Sequence, residues 1–592
     1  MMTALRRAVP RVAACILLLL AGGIARSDPP EAPRSRETDS AAVFTKAAVA
    51  ADHPAASAAG LEILQAGGNA VDAAVAVSFT LSVVRPESCG IGGGGFMVIH
   101  LNADPRYGTL STAINYREQC PRAIDRDFYT RPENLGEDVT THGAKAVAVP
   151  GTVAGLLYAL EKYGTLDRGK VLEPAIRAAR DGFIADDHTV ASAMEIARWL
   201  VKQPGRRDRF RFVWKRLCRG SELRAGDRIT LPEQARALEL IADRGAGAFY
   251  YGEIARAIVS TVSADDGVIG LADLGAYRVE EVDPLTVRFA GRTLLCMPPP
   301  SSGGLALAQT VGILERLPSP LAVHPVGSVE SVHLIAEAMK HAFADRARWL
   351  GDPAFVNVPV DRLLSNSYLS DRAAQVRPDA CLPLASYGTG PDDQADAVTD
   401  GGTSHFSVLD ERGNAVACTE TINLTFGSLL AVEEFGFILN NQMDDFLTRP
   451  GEANAFGLTQ SRRNLPDPGK RPLSSMSPTI ALSTTGEVEL VAGASGGPRI
   501  ISATTQAAIR AIVYNSSAAD ATGLPRLHTQ WMPDKLWLED GLLDKDQREA
   551  LSKLGHHVSD KAPSAACQVI LRRDGRIEAA CDRRKGGKPA GY

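Results

Sequence analysis

An α+β fold is predicted by two observations on the 592-residue sequence. Helical and strand periodicities alternate along its whole length. With 45 % hydrophobic residues, its composition is that of a globular protein with apolar surface enough for a large core. The length by itself would accommodate several domains. A formal net charge of −5 argues against wholesale nucleic-acid binding.

In chain order, residues 1–27 read as a secretory signal peptide. Arg6, Arg7 and Arg11 precede the apolar run VAACILLLLAGGIA, and RSDPPEAPRSRE follows it, giving a positive n-region, a short h-region and a small-residue exit. The run has about 13 residues against the roughly 20 that span a bilayer, so stable membrane insertion is not expected. An uncleaved N-terminal anchor is the alternative. Cys15 stands ahead of the apolar run, unlike a lipoprotein cysteine. The expected location is secreted or periplasmic.

The segment AASAAGLEILQAGG reads as a helix stopped by Gly67-Gly68, and NAVDAAVAVSFTLSVV as a second helix capped by Asn69. Strands FMVIHL and STAINYRE follow, the latter ending at Arg117, and AVAVPG leads into the helix TVAGLLYALEKYG. The arginine-rich stretch 202–219 reads as a solvated helix-loop face, with an anionic partner as the other reading. Later come LTVRFAGRTLLCMPPPSSGG and the long helix SVHLIAEAMKHAFADRARWLGD. Val376 to Gly402, rich in Pro, Gly, Ala and Asp, is the best candidate linker. Of nine cysteines, eight lie beyond the leader, without a CxxC or any Cys/His cluster of zinc spacing, so no metal or organic cofactor is implied. Cys567 and Cys581 flank a hairpin turning at Asp574-Gly575, one residue out of strict register. A disulfide and two buried thiols both fit.

Two motifs tempt. Gly90, Gly92 and Gly95 match G-x-G-x-x-G, but a helix precedes them and a strand follows, the reverse of a dinucleotide site. Those glycines serve close approach of backbones or of a ligand. GASGG, Gly493 to Gly497, sits between a strand and a helix as a nucleophile elbow does, with His528, Asp534 and His556 downstream to complete a Ser495 triad. The same turn could serve as an oxyanion hole.

A third stretch competes with them. In DGGTSHFSVLD a strand alternates from Thr403 onward and a mobile Gly-Gly precedes it. A cut between Gly402 and Thr403 would give Thr403 a hydroxyl and a free α-amine, nucleophile and base in one residue. The hairpin with AVACTETINL pairs Thr403 with Thr421 or Asn423, which share a face; a one-residue slip would put Ile422 there. Further on, LNNQMDDF and RPLSSMSPTI place polar side chains at strand ends, as a site for a zwitterionic ligand would.

These stretches, with GGNAVDAAVA, SCGIGGGGFM, NYRE, VPG, PPPSSGG, EAMKHAFADRARWLGDP, NLTFGS and GASGGPRI, resemble in order the gamma-glutamyltransferase (gamma-glutamyl transpeptidase, glutathione hydrolase) family of N-terminal nucleophile hydrolases. The resemblance implies a four-layer αββα sandwich. It also implies a precursor that cuts itself at Gly402/Thr403 into a large subunit, 28–402, and a small one, 403–592, which stay together. Thr403 would attack the γ-amide of glutathione or a related γ-glutamyl compound and pass the acyl group to water or to an amino acid or peptide. By position, Thr421 would assist the nucleophile, and Gly496 and Gly497 would bind the oxyanion. Arg117, with Ser474 and Ser475, would hold the α-carboxylate; Asn423, Gln442 and Asp445 would hold the α-amino end. Residues 445–457 match a lid loop, with Phe456 where many bacterial relatives have tyrosine, and Ser404 replaces the usual Thr or Ala. Within the resemblance, an acylase on another amide, of cephalosporin or poly-γ-glutamate type, is the alternative. A non-catalytic amino-acid or peptide binder is the alternative outside enzymes.

Overall fold

The structure is a computed structural model that describes residues 40–136, 138–388, 401–559 and 565–592. The leader at 1–27 and residues 389–400 of the expected linker lie outside them. Five strands carry the site: β1 (Gly94–Asp104), β2 (Gly108–Tyr116), β3 (Gly401–Leu409), β4 (Ala415–Leu424) and β5 (Val488–Ser495). One antiparallel sheet runs Ala590–Gly591, Ala48–Ala51, β3, β4, β1, β2, Glu280–Val282. The other runs Ala41–Phe44, Arg576–Cys581, Ala566–Arg573, β5, Thr479–Leu482, Arg292–Cys296, Leu285–Phe289.

Alternation along the first sheet sorts its side chains into two cores. Val49, Met97, Ile99, Phe406, Val408 and Val416 join a helical layer. Ala48, Ala50, Phe96, Val98, Leu409 and Ala415 join the core shared with the second sheet. Helices α1 (Pro54–Gln65) and α2 (Ala70–Val84) cover the first sheet; α3 (Gly303–Leu314), α4 (Val329–Trp349) and α5 (Arg499–Ile512) lie beyond the second. The result is the αββα order that the resemblance implies. Every residue of α2 is buried, so the helix has no solvent-facing side and depends on its cap. Asn69 Oδ1 accepts the amides of Val71 and Asp72, and Asp72 accepts the Asn69 amide in return.

Strands from before and after Thr403 interleave in both sheets, so neither part of the chain has a sheet of its own. Two expectations need correction. The strand STAINYRE stops at Tyr116, leaving Arg117 just past its end. Gly401 and Gly402, read as linker, already pair in β3. The expected one-residue offset holds, Gln568 pairing with Cys581, and of the two readings left open Cys567 and Cys581 take that of buried free thiols. The arginine-rich stretch is the solvated face expected of it. Arg206, Arg209, Arg211, Arg216 and Arg219 meet Asp138, Asp265, Glu433, Glu233 and Asp227 in surface ion pairs worth roughly 0–1 kcal/mol each.

Candidate active site

β3 enters its sheet through a bulge that sets the chemistry. Gly402 pairs with Asn423 and Thr403 with Thr421, so Ile422 is skipped. A Cβ on Gly402 would stand 2.6 Å from the carbonyl oxygens of Glu87 and Leu424, which only glycine tolerates. Thr421 Oγ1 donates to the Gly402 carbonyl at 2.6 Å and accepts the Asn423 amide at 2.8 Å. Its remaining lone pair faces Thr403 Oγ1, 3.2 Å away. The Thr403 proton therefore points at Thr421, while Thr421 polarises the carbonyl that precedes Thr403. Replacing Thr421 by valine removes that donor. Loss of one such donor costs about 10²–10³ in rate, so uncut precursor should accumulate in Thr421→Val on a denaturing gel, and Thr421→Ser should restore cutting.

The groups that could compete for this role are committed elsewhere. His405 shares the Thr403 face, but its Nδ1 meets Thr419 Oγ1 at 2.8 Å and its Nε2 meets Ser407 Oγ at 3.2 Å. Burial pushes its pKa down to about 3, so the ring is neutral. The Ser495 triad does not assemble. Ser495 Oγ lies 3.4 Å from Lys585 Nζ, His528 is bound to Ser502 and Gln530, and His556 faces His333. Sequence reasoning missed Lys585, whose ammonium donates to the Thr403 carbonyl and stands 2.7 Å from the Asp52 carboxylate. Gly496 (φ 125°) and Gly497 (φ 58°) form the turn between β5 and α5. The Phe456 ring covers this turn: a Cβ on Gly497 would be 2.7 Å from its Cδ1. The loop carrying Phe456 is tied down by Gln530, whose amide donates to the Gly457 carbonyl at 3.0 Å.

The second half of the site lies along the same sheet end. Thr403 neighbours Thr421, Thr421 neighbours Gly94, and Gly95 neighbours Tyr116. Three strand spacings put Thr403 about 14 Å from the start of Arg117, a gap a long guanidinium arm can narrow. The close approach explains the glycine run: a Cβ on Gly93 would be 2.1 Å from the Thr421 carbonyl. The segment after Leu439 is drawn alongside by the Asn441 amide, which donates to the Ile422 carbonyl at 3.1 Å. Asn423 donates back to the Asn441 carbonyl at 3.0 Å.

Here Arg117 Nη2 meets Asp445 Oδ2 at 2.5 Å, and Arg117 Nε donates to the Pro472 carbonyl. Gln442 Nε2 and Asn454 Nδ2 also donate to Asp445, at 2.6 and 3.2 Å. Ser474 and Ser475 come just after Pro472 and Leu473, and Ser302 Oγ donates to the Ser474 carbonyl at 2.6 Å. Arg346, which the sequence reading missed, reaches that same Ser302 Oγ at 2.9 Å. Burial lowers its pKa to about 10, opposed by Asp445. Burial also pushes Glu118 and Asp444 up to about 7, against Arg117 in the first case and reinforced by Asp445 in the second. One cation and one anion, both largely buried and drawn together, thus face the row that ends in Thr403.

A hydroxyl at the entry of a central strand, in two facing antiparallel sheets between helical layers, defines an N-terminal nucleophile hydrolase fold. The chain belongs to the gamma-glutamyltranspeptidase family, whose model matches residues 56–592. It is similar to the glutathione hydrolase proenzyme of Escherichia coli K12, 38 % identical over 540 residues, 90 % of this chain and 90 % of that protein. The glutathione hydrolase proenzyme of Pseudomonas aeruginosa PAO1 is 38 % identical over 551 residues, 92 % of this chain and 95 % of that one. The crystal structure of cephalosporin acylase from Bacillus halodurans covers 96 % of this chain and 99 % of its own, with a TM-score of 0.81; at 24 % identity it supports the fold alone.

Proposed function

We propose that the protein is a self-processing γ-glutamyl hydrolase and transferase acting on glutathione and related compounds. The observation that carries this is the Thr421 hydroxyl bonded to the Gly402 carbonyl and beside Thr403 Oγ1. In processing, Thr403 Oγ1 adds to the Gly402 carbonyl carbon and the Gly402–Thr403 C–N bond breaks. Water then cleaves the resulting ester, releasing the Gly402 carboxylate and the Thr403 α-amine. That amine becomes the base the site otherwise lacks. The products are a large subunit, 28–402, and a small one, 403–592, held together by the interleaved sheets.

In turnover, Thr403 Oγ1 attacks the γ-amide carbon, its proton passing to the α-amine and on to the leaving amine. A γ-glutamyl ester forms, and water or an acceptor amine resolves it. Gly496 and Gly497, at the N-terminal end of α5, offer amides to the oxyanion. Arg117 takes the α-carboxylate with Ser474 and Ser475 beside it, where a fork of donors matches two oxygens. Asp445 takes the α-ammonium with Asn423 and Gln442. A zwitterion replaces the Arg117–Asp445 contact with one partner for each charge, so neither buried charge is left alone on binding. Phe456 closes the site against water. The leader at 1–27 supports export to the periplasm or beyond, and among the described residues no helix is long and apolar enough to cross a membrane.

The test is turnover of glutathione by the purified protein, read as free glutamate and cysteinylglycine, with γ-glutamyl dipeptide formed when an acceptor dipeptide is added. Turnover of a glutaryl-cephalosporin with glutathione untouched would favour the acylase reading instead.

A further inference from the structure

A cluster far from Thr403 has the donors of a metal site. His333 and Glu337 lie one turn apart on α4, Cys381 comes from the segment after it, and His556 follows the helix Lys545–Lys553. One ligand atom from each lies within 4.8 Å of the other three, and all but Cys381 are buried. We propose that His333, Glu337, Cys381 and His556 form a tetrahedral site for a zinc-like divalent cation.

Local geometry supports a set already oriented for a metal. His333 Nε2 donates to the Arg377 carbonyl at 2.6 Å, which leaves Nδ1 as a lone pair turned to the cluster. A ligating histidine is ordinarily held by such an outer bond. His556 Nε2 faces His333 Nδ1 at 2.8 Å. Two imidazoles on zinc, each about 2.0–2.1 Å from it, sit about 3.3 Å apart, so the rings part by only about 0.5 Å. Glu337 is aimed by the Tyr387 hydroxyl, 2.7 Å from both oxygens, and by the Leu382 amide at 3.3 Å. Cys381 is positioned by its own amide, which donates to the Leu554 carbonyl at 2.6 Å.

The charges around the cluster can accommodate the ion. Lys340 Nζ lies 3.3 Å from Glu337 Oε1, whose charge it offsets in the absence of metal, and 3.8 Å from Cys381 Sγ. It also lies 3.9 Å from Asp534, which His557 meets at 3.0 Å, so the lysine keeps a counterion when the cation takes over the carboxylate and thiolate. Two histidines, a carboxylate and a thiolate select zinc over the hard cations calcium and magnesium. The ligands come from both sides of Thr403. If the chain is cut as proposed above, the ion ties the tail of one piece to the other, yet binding itself does not depend on cutting.

The experiment uses the full protein and its Thr403→Ala variant, stripped with chelator and titrated with Zn²⁺ and, as a spectroscopic probe, Co²⁺. The expected result in both is near one metal per chain by elemental analysis, a melting temperature raised by Zn²⁺, and a Co²⁺ spectrum with tetrahedral d–d bands and thiolate charge transfer. Cys381→Ser should lose the charge transfer. Tyr387→Phe should keep the spectrum and bind roughly 10–100-fold more weakly. A folded protein that shows no cobalt spectrum and no zinc-dependent melting shift overturns the proposal. So does a Cys381→Ser spectrum identical to the parent's.

Discussion

Thr403→Ala is expected to leave the chain in one piece and to remove its hydrolytic activity. Both effects trace to one oxygen. Without Oγ1 nothing attacks the Gly402 carbonyl, so the α-amine that would serve turnover is never freed. His405 cannot substitute, because both ring nitrogens are engaged and the ring is neutral. Loss of a nucleophile from a coupled set costs on the order of 10⁶ in rate. Initial rates with glutathione on matched amounts of folded protein measure it. Thr403→Ser keeps the hydroxyl and should cut and turn over, more slowly than the parent. Equal activity in Thr403→Ala and the parent would transfer the role to another group.

Arg117→Met is expected to have the second largest effect, for two reasons that separate experimentally. Charge-assisted hydrogen bonds contribute about 1.5–3 kcal/mol each, so losing a two-pronged contact to the α-carboxylate lowers kcat/KM by roughly 10²–10⁴. The substitution also leaves Asp445 as a largely buried anion with Gln442 and Asn454 as its remaining polar partners, and stripping one side of such a pair costs about 3–5 kcal/mol in stability. Arg117→Met/Asp445→Asn removes both charges. Its melting temperature should recover toward the parent while kcat/KM stays low. A double variant that recovers activity along with stability would show that Arg117 only holds the fold.

The proposed nucleophile was legible in the sequence because two local signals agreed there. Alternation from Thr403 fixed a strand, ERGN fixed a turn, and together they narrowed the partner to Thr421 or Asn423. The choice between those two was not legible, since it depends on a bulge that the Glu87 and Leu424 carbonyls enforce from outside the hairpin. Lys585, Arg346 and Ser302 were not legible for the same reason. PPPSSGG and EAMKHAFADRARWLGDP are among the stretches that carry the resemblance, yet no local pattern singles out Ser302, Arg346 or Lys585, which packing of the two sheets brings together from the start of α3, from α4 and from the C-terminus. Ser495 was only a rival reading, because a strand–GxSxG–helix pattern fixes only the turn. Whether a histidine reaches it is a tertiary matter, and here Lys585 does instead. The His333–Glu337–Cys381–His556 cluster shows the limit most plainly. Its first two ligands have helical spacing, but Cys381 comes 44 residues after Glu337 and His556 a further 175 residues on, past Thr403, so no zinc spacing could appear in the sequence.

The central claim is that the chain makes its own nucleophile at Thr403. Intact mass of the purified protein under denaturing conditions, beside Thr403→Ala, tests it most directly. Two fragments whose masses meet at Gly402/Thr403 in the parent, and a single uncut chain in the variant, are predicted. A single uncut chain in the parent, or fragments meeting there in both samples, would contradict it.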